Sequence, residues 1–126
     1  MRTHVTDTHA LVYFLLDPKK LGRRAREVFE SPNSQVHIPT MALLEVKYLI
    51  EIGRLETSIE EVLAFVESSQ NFHIQPFDSV ALRHSLAIEG QRDPFDRIIL
   101  STAMSLKLPL ITRDRWMRSV YNKCVW

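Results

Sequence analysis

Four stretches of this sequence carry acidic side chains where chain elements begin or end, and acids so placed can hold a divalent cation. The richest is Asp93-Pro-Phe-Asp-Arg97. Asp93 is a good N-cap, Pro94 suits the first helical position, and Asp96 falls at the third, where a carboxylate can reach back to the cap amide. Asp93 and Asp96 lie three apart in one turn and so can share a face. Asp7 follows the apolar pair Val5-Thr6, and Asp114 follows Leu110-Ile-Thr-Arg113. Glu45 stands among Ala42, Leu43, Leu44, Val46 and Tyr48 in a helix apolar on most faces. A carboxylate buried there needs a partner or a metal, and Lys47, two residues on, points elsewhere on the helix. Gathered in one crevice these acids repel one another unless a cation neutralises them. Oxygen-only ligation suits Mg²⁺ or Mn²⁺, whereas zinc calls for clustered Cys/His spacing that the chain lacks.

Each acid also has a local explanation. Asp93 can serve only as a cap, Asp96 only to complement the helix dipole, Asp114 only to cap the segment Arg115 to Val120, and Asp7 only to form an Asx-turn. What separates the readings is whether the chain brings the four stretches together.

The elements that must do this are short. Strands are expected at Val5-Thr6, Val36–Ile38, Phe72–Ile74 and Leu108–Thr112, with Val125 in a fifth. Pro39 and Pro76 stop two of them. Between them run helical patterns: His9–Leu16, Leu21–Phe29, a helix capped by Thr40 that reaches Gly53, one opened by a Ser58/Glu61 capping box, Val80–Ile88, and Pro94–Leu106. This alternation gives an α/β fold: a short, mostly parallel central sheet flanked by helices on both faces. Ligands in open α/β folds gather outside the carboxyl ends of the strands. Asp7 and Asp114 sit just past such ends, and Asp93 and Asp96 open a helix that can point into the same crevice.

At 126 residues the chain is expected to form one domain, and its 45% hydrophobic and 25% charged composition is that of a globular protein. Sixteen Lys and Arg against fifteen Asp and Glu leave a formal charge of +1, which neither announces a nucleic-acid binder nor excludes a local basic surface. The lone Cys124 has no internal partner, and no run approaches a membrane span; a cytoplasmic location is the expectation.

The four stretches, in this order, resemble the motifs of PIN domains, and specifically of VapC-type toxin ribonucleases. Asp7-Thr-His-Ala-Leu11 resembles the first motif, and Glu45 with Val46-Lys47 and Ile52-Gly-Arg-Leu55 resembles the second. Asp93-Pro-Phe-Asp-Arg97 is similar to the signature of a subgroup, with Asp96 in the third core acidic position and Asp93 an extra acid before it. Leu110-Ile-Thr-Arg-Asp114 resembles the fourth, with Thr112 as a hydroxyl neighbour. The second motif departs in carrying Thr40, Met41 and Ala42 before the Glu. The resemblance implies an endoribonuclease in which Asp7, Asp96 and Asp114 hold one or two Mg²⁺ (or Mn²⁺) ions, with Glu45 acting directly or through a water. It implies hydrolysis of RNA by metal-activated water, a small antitoxin as partner, and a homodimer. A PIN-like nuclease without an antitoxin, processing RNA or acting on DNA, and a non-catalytic interaction domain are the alternatives.

Around the acids, Arg97 suits either a salt bridge to a site acid or a phosphate contact. Arg113, Arg115 and Arg118 form a basic stretch able to track an RNA backbone, while Lys19, Lys20, Arg23, Arg24 and Arg26 read first as a solvated face. Trp116, Tyr121 and Trp126 are expected first to pack on the core or a partner, with base stacking as the alternative. His9 is as suited to packing as to chemistry.

Overall fold

Short apolar runs stopped by a proline or an acid become the five strands of the computed structural model, which describes residues 2–90 and 93–126. They are β1 (Arg2–Thr6), β2 (Ser34–Pro39), β3 (Phe72–Gln75), β4 (Leu110–Ile111) and β5 (Cys124–Val125). The sheet order is β3-β2-β1-β4-β5 and every pairing is parallel. Helices α1 (Thr8–Leu16), α2 (Arg23–Glu30), α3 (Thr40–Glu51) and α4 (Ile59–Ser68) connect β1 to β2 to β3. A 3₁₀ turn at Pro18–Lys20 separates α1 from α2. The chain then crosses back through α5 (Ser79–Ala87) and α6 (Pro94–Leu106) to β4, and α7 (Arg115–Val120) leads to β5. Because parallel crossovers are right-handed, the two directions of travel put helices on opposite faces of the sheet.

The core explains why such short strands hold. Val5, Leu110 and Ile111 from the sheet, Ala10 and Leu11 from α1, and Ile99, Leu100 and Ala103 from α6 are all fully buried. Phe14 stacks on Phe29 at 4.7 Å between centroids, and Phe65 and Phe72 meet Phe14 edge-on. This aromatic cluster ties α1, α2 and α4 to the edge strand β3.

Three local expectations are corrected. Thr40 does not cap α3: β2 runs through Pro39 straight into the helix, so Pro39 holds the cap position without a side-chain bond and Thr40 is the first helical residue. The fourth strand is shorter than Leu108–Thr112, since only Leu110 and Ile111 are strand, although the Thr112 amide still donates to the Val125 carbonyl at 3.0 Å. The Ser58/Glu61 box is half made. Ser58 Oγ accepts from the Glu61 amide at 3.2 Å, but the Glu61 carboxylate takes the Thr57 hydroxyl instead of the cap amide. The apolar positions of α3 also divide: Leu43 and Val46 are core, whereas Leu44, Tyr48 and Ile52 are exposed.

Candidate active site

Asp7 ends β1 and opens α1. Its Oδ1 accepts from the Ala10 amide at 2.8 Å, so it is an N-cap, yet it is only 6% exposed. Burial pushes its carboxyl up to about 6, with the neighbouring Asp114 adding to the rise against hydrogen bonds from Thr112 and Ala10. The Asp7 amide donates to the Ile111 carbonyl at 3.1 Å, which fixes the end of β1 beside the end of β4. Three residues further along, Asp114 caps α7, its Oδ1 accepting from the Met117 amide at 2.9 Å. The fully buried Thr112 hydroxyl lies between the two, accepting from the Asp114 amide at 3.0 Å and easing the ionisation of Asp7. Adjacent parallel strands thus deliver two acids to one edge.

Glu45 arrives from α3. It is 8% exposed, and its Oε1 accepts the Thr8 hydroxyl at 2.5 Å, pinning it to the first residue of α1. Burial holds its carboxyl above the usual range, and Asp93 pushes the same way. The fourth acid comes with α6, which packs on α3; Tyr48 stacks on Phe95 at 6.2 Å, in the same turn as Asp96. Asp93 is the N-cap, accepting from the Phe95 amide at 2.9 Å. Asp96 is half-buried, and among the described residues no hydrogen bond reaches its carboxyl. Burial, followed by the charges of Asp93, Asp114, Glu45 and Asp7, raises it to about 7. An acid from each of four separate elements therefore stands in one electrostatic neighbourhood.

The local roles expected of three of these acids are made. Asp7, Asp93 and Asp114 each use one carboxylate oxygen as a helix cap. Among the described residues, no three His, Cys, Asp or Glu side chains stand close enough together to enclose a metal ion. Mg²⁺ suits a loosely gathered set of oxygens, since it keeps several of its waters and needs only one or two carboxylates directly. The donor chemistry fits such an ion and does not fit zinc.

The remaining predicted residues divide. Arg113 and Arg115 line a cavity of about 450 Å³ with Asp7, His9, Tyr13 and Asp114. Arg118, further along α7, acts on Cys124 and does not line that cavity. Arg97 is partly buried in the first turn of α6, its carbonyl accepting the Ser101 hydroxyl. On the other side of His9, a second cavity of about 430 Å³ runs between Glu45 and Asp93, with Tyr48, Leu49, Ile52 and Phe95 as its apolar wall. His9 lines both cavities and eases ionisation of Asp7 and Glu45. The sequence pointed to Thr8 only as part of the first motif, and to Tyr13 not at all. The usable signal was helical spacing: Thr8 follows the first acid directly, and Tyr13 lies one turn beyond His9.

Comparison with known proteins agrees with this architecture. A family model described as "PIN domain" matches residues 5–123. The ribonuclease VapC22 of Mycobacterium tuberculosis is 27% identical over 123 residues, covering 94% of this chain and 92% of the relative. Among solved structures, VapBC2 from Rickettsia felis bound to a promoter DNA fragment superposes with a TM-score of 0.74 at 14% identity, covering 98% of this chain and 97% of that one. A toxin–antitoxin complex from Klebsiella pneumoniae gives a TM-score of 0.69 at 23% identity, covering 98% and 96%.

Proposed function

As the chain belongs to the PIN-domain family, we propose that it is a metal-dependent endoribonuclease and the toxin of a toxin–antitoxin pair, its 126 residues acting as one nuclease domain. The observation that carries the reading is the convergence of Asp7, Glu45, Asp96 and Asp114 from four separate elements on one end of the sheet. A purely structural acid needs no such company, and the company adds to its cost: burial first, then the charges of Asp93, Asp114, Glu45 and Asp7, hold Asp96 near 7.

In this reading Asp7, Asp96 and Asp114 hold Mg²⁺ or Mn²⁺, one or two ions, and Glu45 reaches the same centre directly or through a water. The bound ion supplies a water of lowered pKa and neutralises charge on the phosphoryl oxygens. The protein's own part is positioning. Thr8 fixes the rotamer of Glu45, Thr112 orients Asp7 and Asp114, and the caps to Ala10 and Met117 hold one oxygen of each aspartate so that the other presents in a set direction. Asp93 adds negative charge at the rim and steers the start of α6 toward the cleft.

The relatives carry the remainder. VapC22 is named a ribonuclease, which supports RNA as substrate, and the solved complexes support a small antitoxin as partner. The apolar wall of Tyr48, Leu49, Ile52 and Phe95 beside Glu45 suits an amphipathic segment of such a partner. Leu44, Val80 and Leu86, all more than half exposed, suit a homodimer interface. Among the described residues no helix is long and apolar enough to cross a membrane, and the cytoplasm is the location proposed. Cleavage of single-stranded RNA that requires Mg²⁺ or Mn²⁺ tests the activity. Purification from the native host tests the partner: a small co-purifying protein supports the toxin assignment, and a nuclease recovered alone under gentle conditions turns it toward RNA processing.

A further inference from the structure

Arg113 shares a cavity with two of the acids, yet it does not neutralise them. Among the described residues its guanidinium makes no ion pair, although Asp7 and Asp114 line the same space. It is held by aromatic rings instead. Arg113 Nη2 donates to Tyr13 Oη at 2.8 Å, and its Cζ lies 5.2 Å from the Tyr13 ring centroid and 5.9 Å from that of Trp126. The two rings meet edge-on at 6.3 Å. An arginine held by rings and one hydroxyl keeps most of its donor fork free while losing little freedom on binding, which is what bidentate recognition of a phosphate needs.

Two further features make this a built arrangement. Lys20, nearly a hundred residues away in sequence, brings its Nζ to 5.5 Å from the same Tyr13 ring. The two basic stretches thus meet at Tyr13, and Arg115 lines the cavity as well. Lys20 also pairs with Asp17 at 3.7 Å, so Arg113 and Arg115 are the cations of the cavity itself, and two cations at one rim favour an anion between them. Trp126, in turn, is seated by design: its carbonyl accepts the Arg24 amide at 3.0 Å, and a Cβ at Gly22 would lie 2.5 Å from both its carbonyl carbon and its ring. Only glycine at position 22 leaves room for the tryptophan that backs Arg113.

We propose that Arg113, held by Tyr13 and Trp126, is a phosphate-binding subsite for the RNA backbone beside Asp7 and Asp114, and that Trp126, seated on Gly22, is its positioning residue. This rests on the nuclease reading above and adds to it the route by which the strand enters. Arg115, which lines the same cavity, extends the track.

Two measurements test the proposal. In steady-state cleavage of a single-stranded RNA oligonucleotide with Mn²⁺, Arg113→Ala should raise KM on the order of tenfold and leave kcat within a few-fold. It should also flatten the dependence of log KM on log salt by about 0.7, the contribution of one phosphate on a single strand. Arg113→Lys should restore the salt slope but only part of the affinity. Trp126→Ala and the milder Tyr13→Phe should raise KM in the same direction, and each should add little to Arg113→Ala in a double mutant, because they act through that side chain. Unchanged KM and slope in R113A, with wild-type cleavage intact, overturns the subsite and leaves the nuclease reading standing. Fully additive effects of W126A and R113A overturn the positioning role. Anisotropy of the same labelled RNA in EDTA serves where cleavage is absent: weaker binding by R113A than by wild type supports the subsite, and equal or no binding in both overturns it.

Discussion

Replacing Asp96 with Asn should stabilise the metal-free protein, and the gain should depend on pH in a set direction. Asp96 stands at about 7 in the folded chain against an ordinary 3.8. Between those values the folded chain keeps a proton that the unfolded chain has released, so stability falls as pH rises from about 4 to about 7 and levels off above. Unscreened, the cost at pH 8 would be about 4 kcal/mol. Asp96 is only half-buried, and solvent screening reduces the expected value to roughly 1–2 kcal/mol. For a chain of this length that corresponds to a rise of about 4–8 °C in the melting temperature of D96N at pH 8. At pH 5, where less of the cost has accrued, the gain should be less than half as large. The assay is thermal melting of both proteins in EDTA at pH 5 and pH 8, repeated with millimolar Mg²⁺. Magnesium should raise the wild-type melting point at pH 8 and barely move that of D96N. A D96N protein less stable than wild type in EDTA at pH 8, or a difference that does not grow with pH, would refute the inference that burial and neighbouring charge together disfavour an ionised Asp96.

The other expectations concern caps and partners. Asp114→Asn keeps the bond to the Met117 amide and should melt normally while losing RNA cleavage by orders of magnitude, whereas Asp114→Ala should also lose about 0.5–2 kcal/mol in denaturant titration. Asp93→Asn should retain the cap on Phe95 and its stability but show a partial loss of cleavage, smaller than at Asp96; full activity would reduce Asp93 to a helix cap. Thr8→Val removes the donor to a buried carboxylate and should cost about 1–3 kcal/mol and lower kcat, with Thr8→Ser restoring both in melting and rate measurements.

Much of this site was legible because its signals are local. Asp93-Pro94 announces a helix start within two residues, and Asp114 caps the short helix that its own neighbours suggest. The α/β class followed from strands and helices that alternate with clear stops. What the sequence could not display is which distant residues meet. Thr8 and Glu45, 37 residues apart, pair only because α1 and α3 start from the same edge of the sheet. Tyr13, Lys20, Arg113 and Trp126 come together through folding of the whole chain, and nothing about Gly22 in sequence reveals that it makes room for a tryptophan. Periodicity likewise marked α3 as apolar without separating the core residues Leu43 and Val46 from the exposed Leu44 and Tyr48, because a helix apolar on most faces does not say which one the protein covers.

Whether four converging acids make a metal-dependent nuclease is decided by cleavage of a generic single-stranded RNA by purified wild type and D96N, with and without divalent metal. Wild type should cut in Mg²⁺ or Mn²⁺, not in EDTA, and again when metal is restored, and folded D96N should lose orders of magnitude in rate. Cleavage that persists in EDTA, or D96N as active as wild type, would contradict the metal-dependent reading.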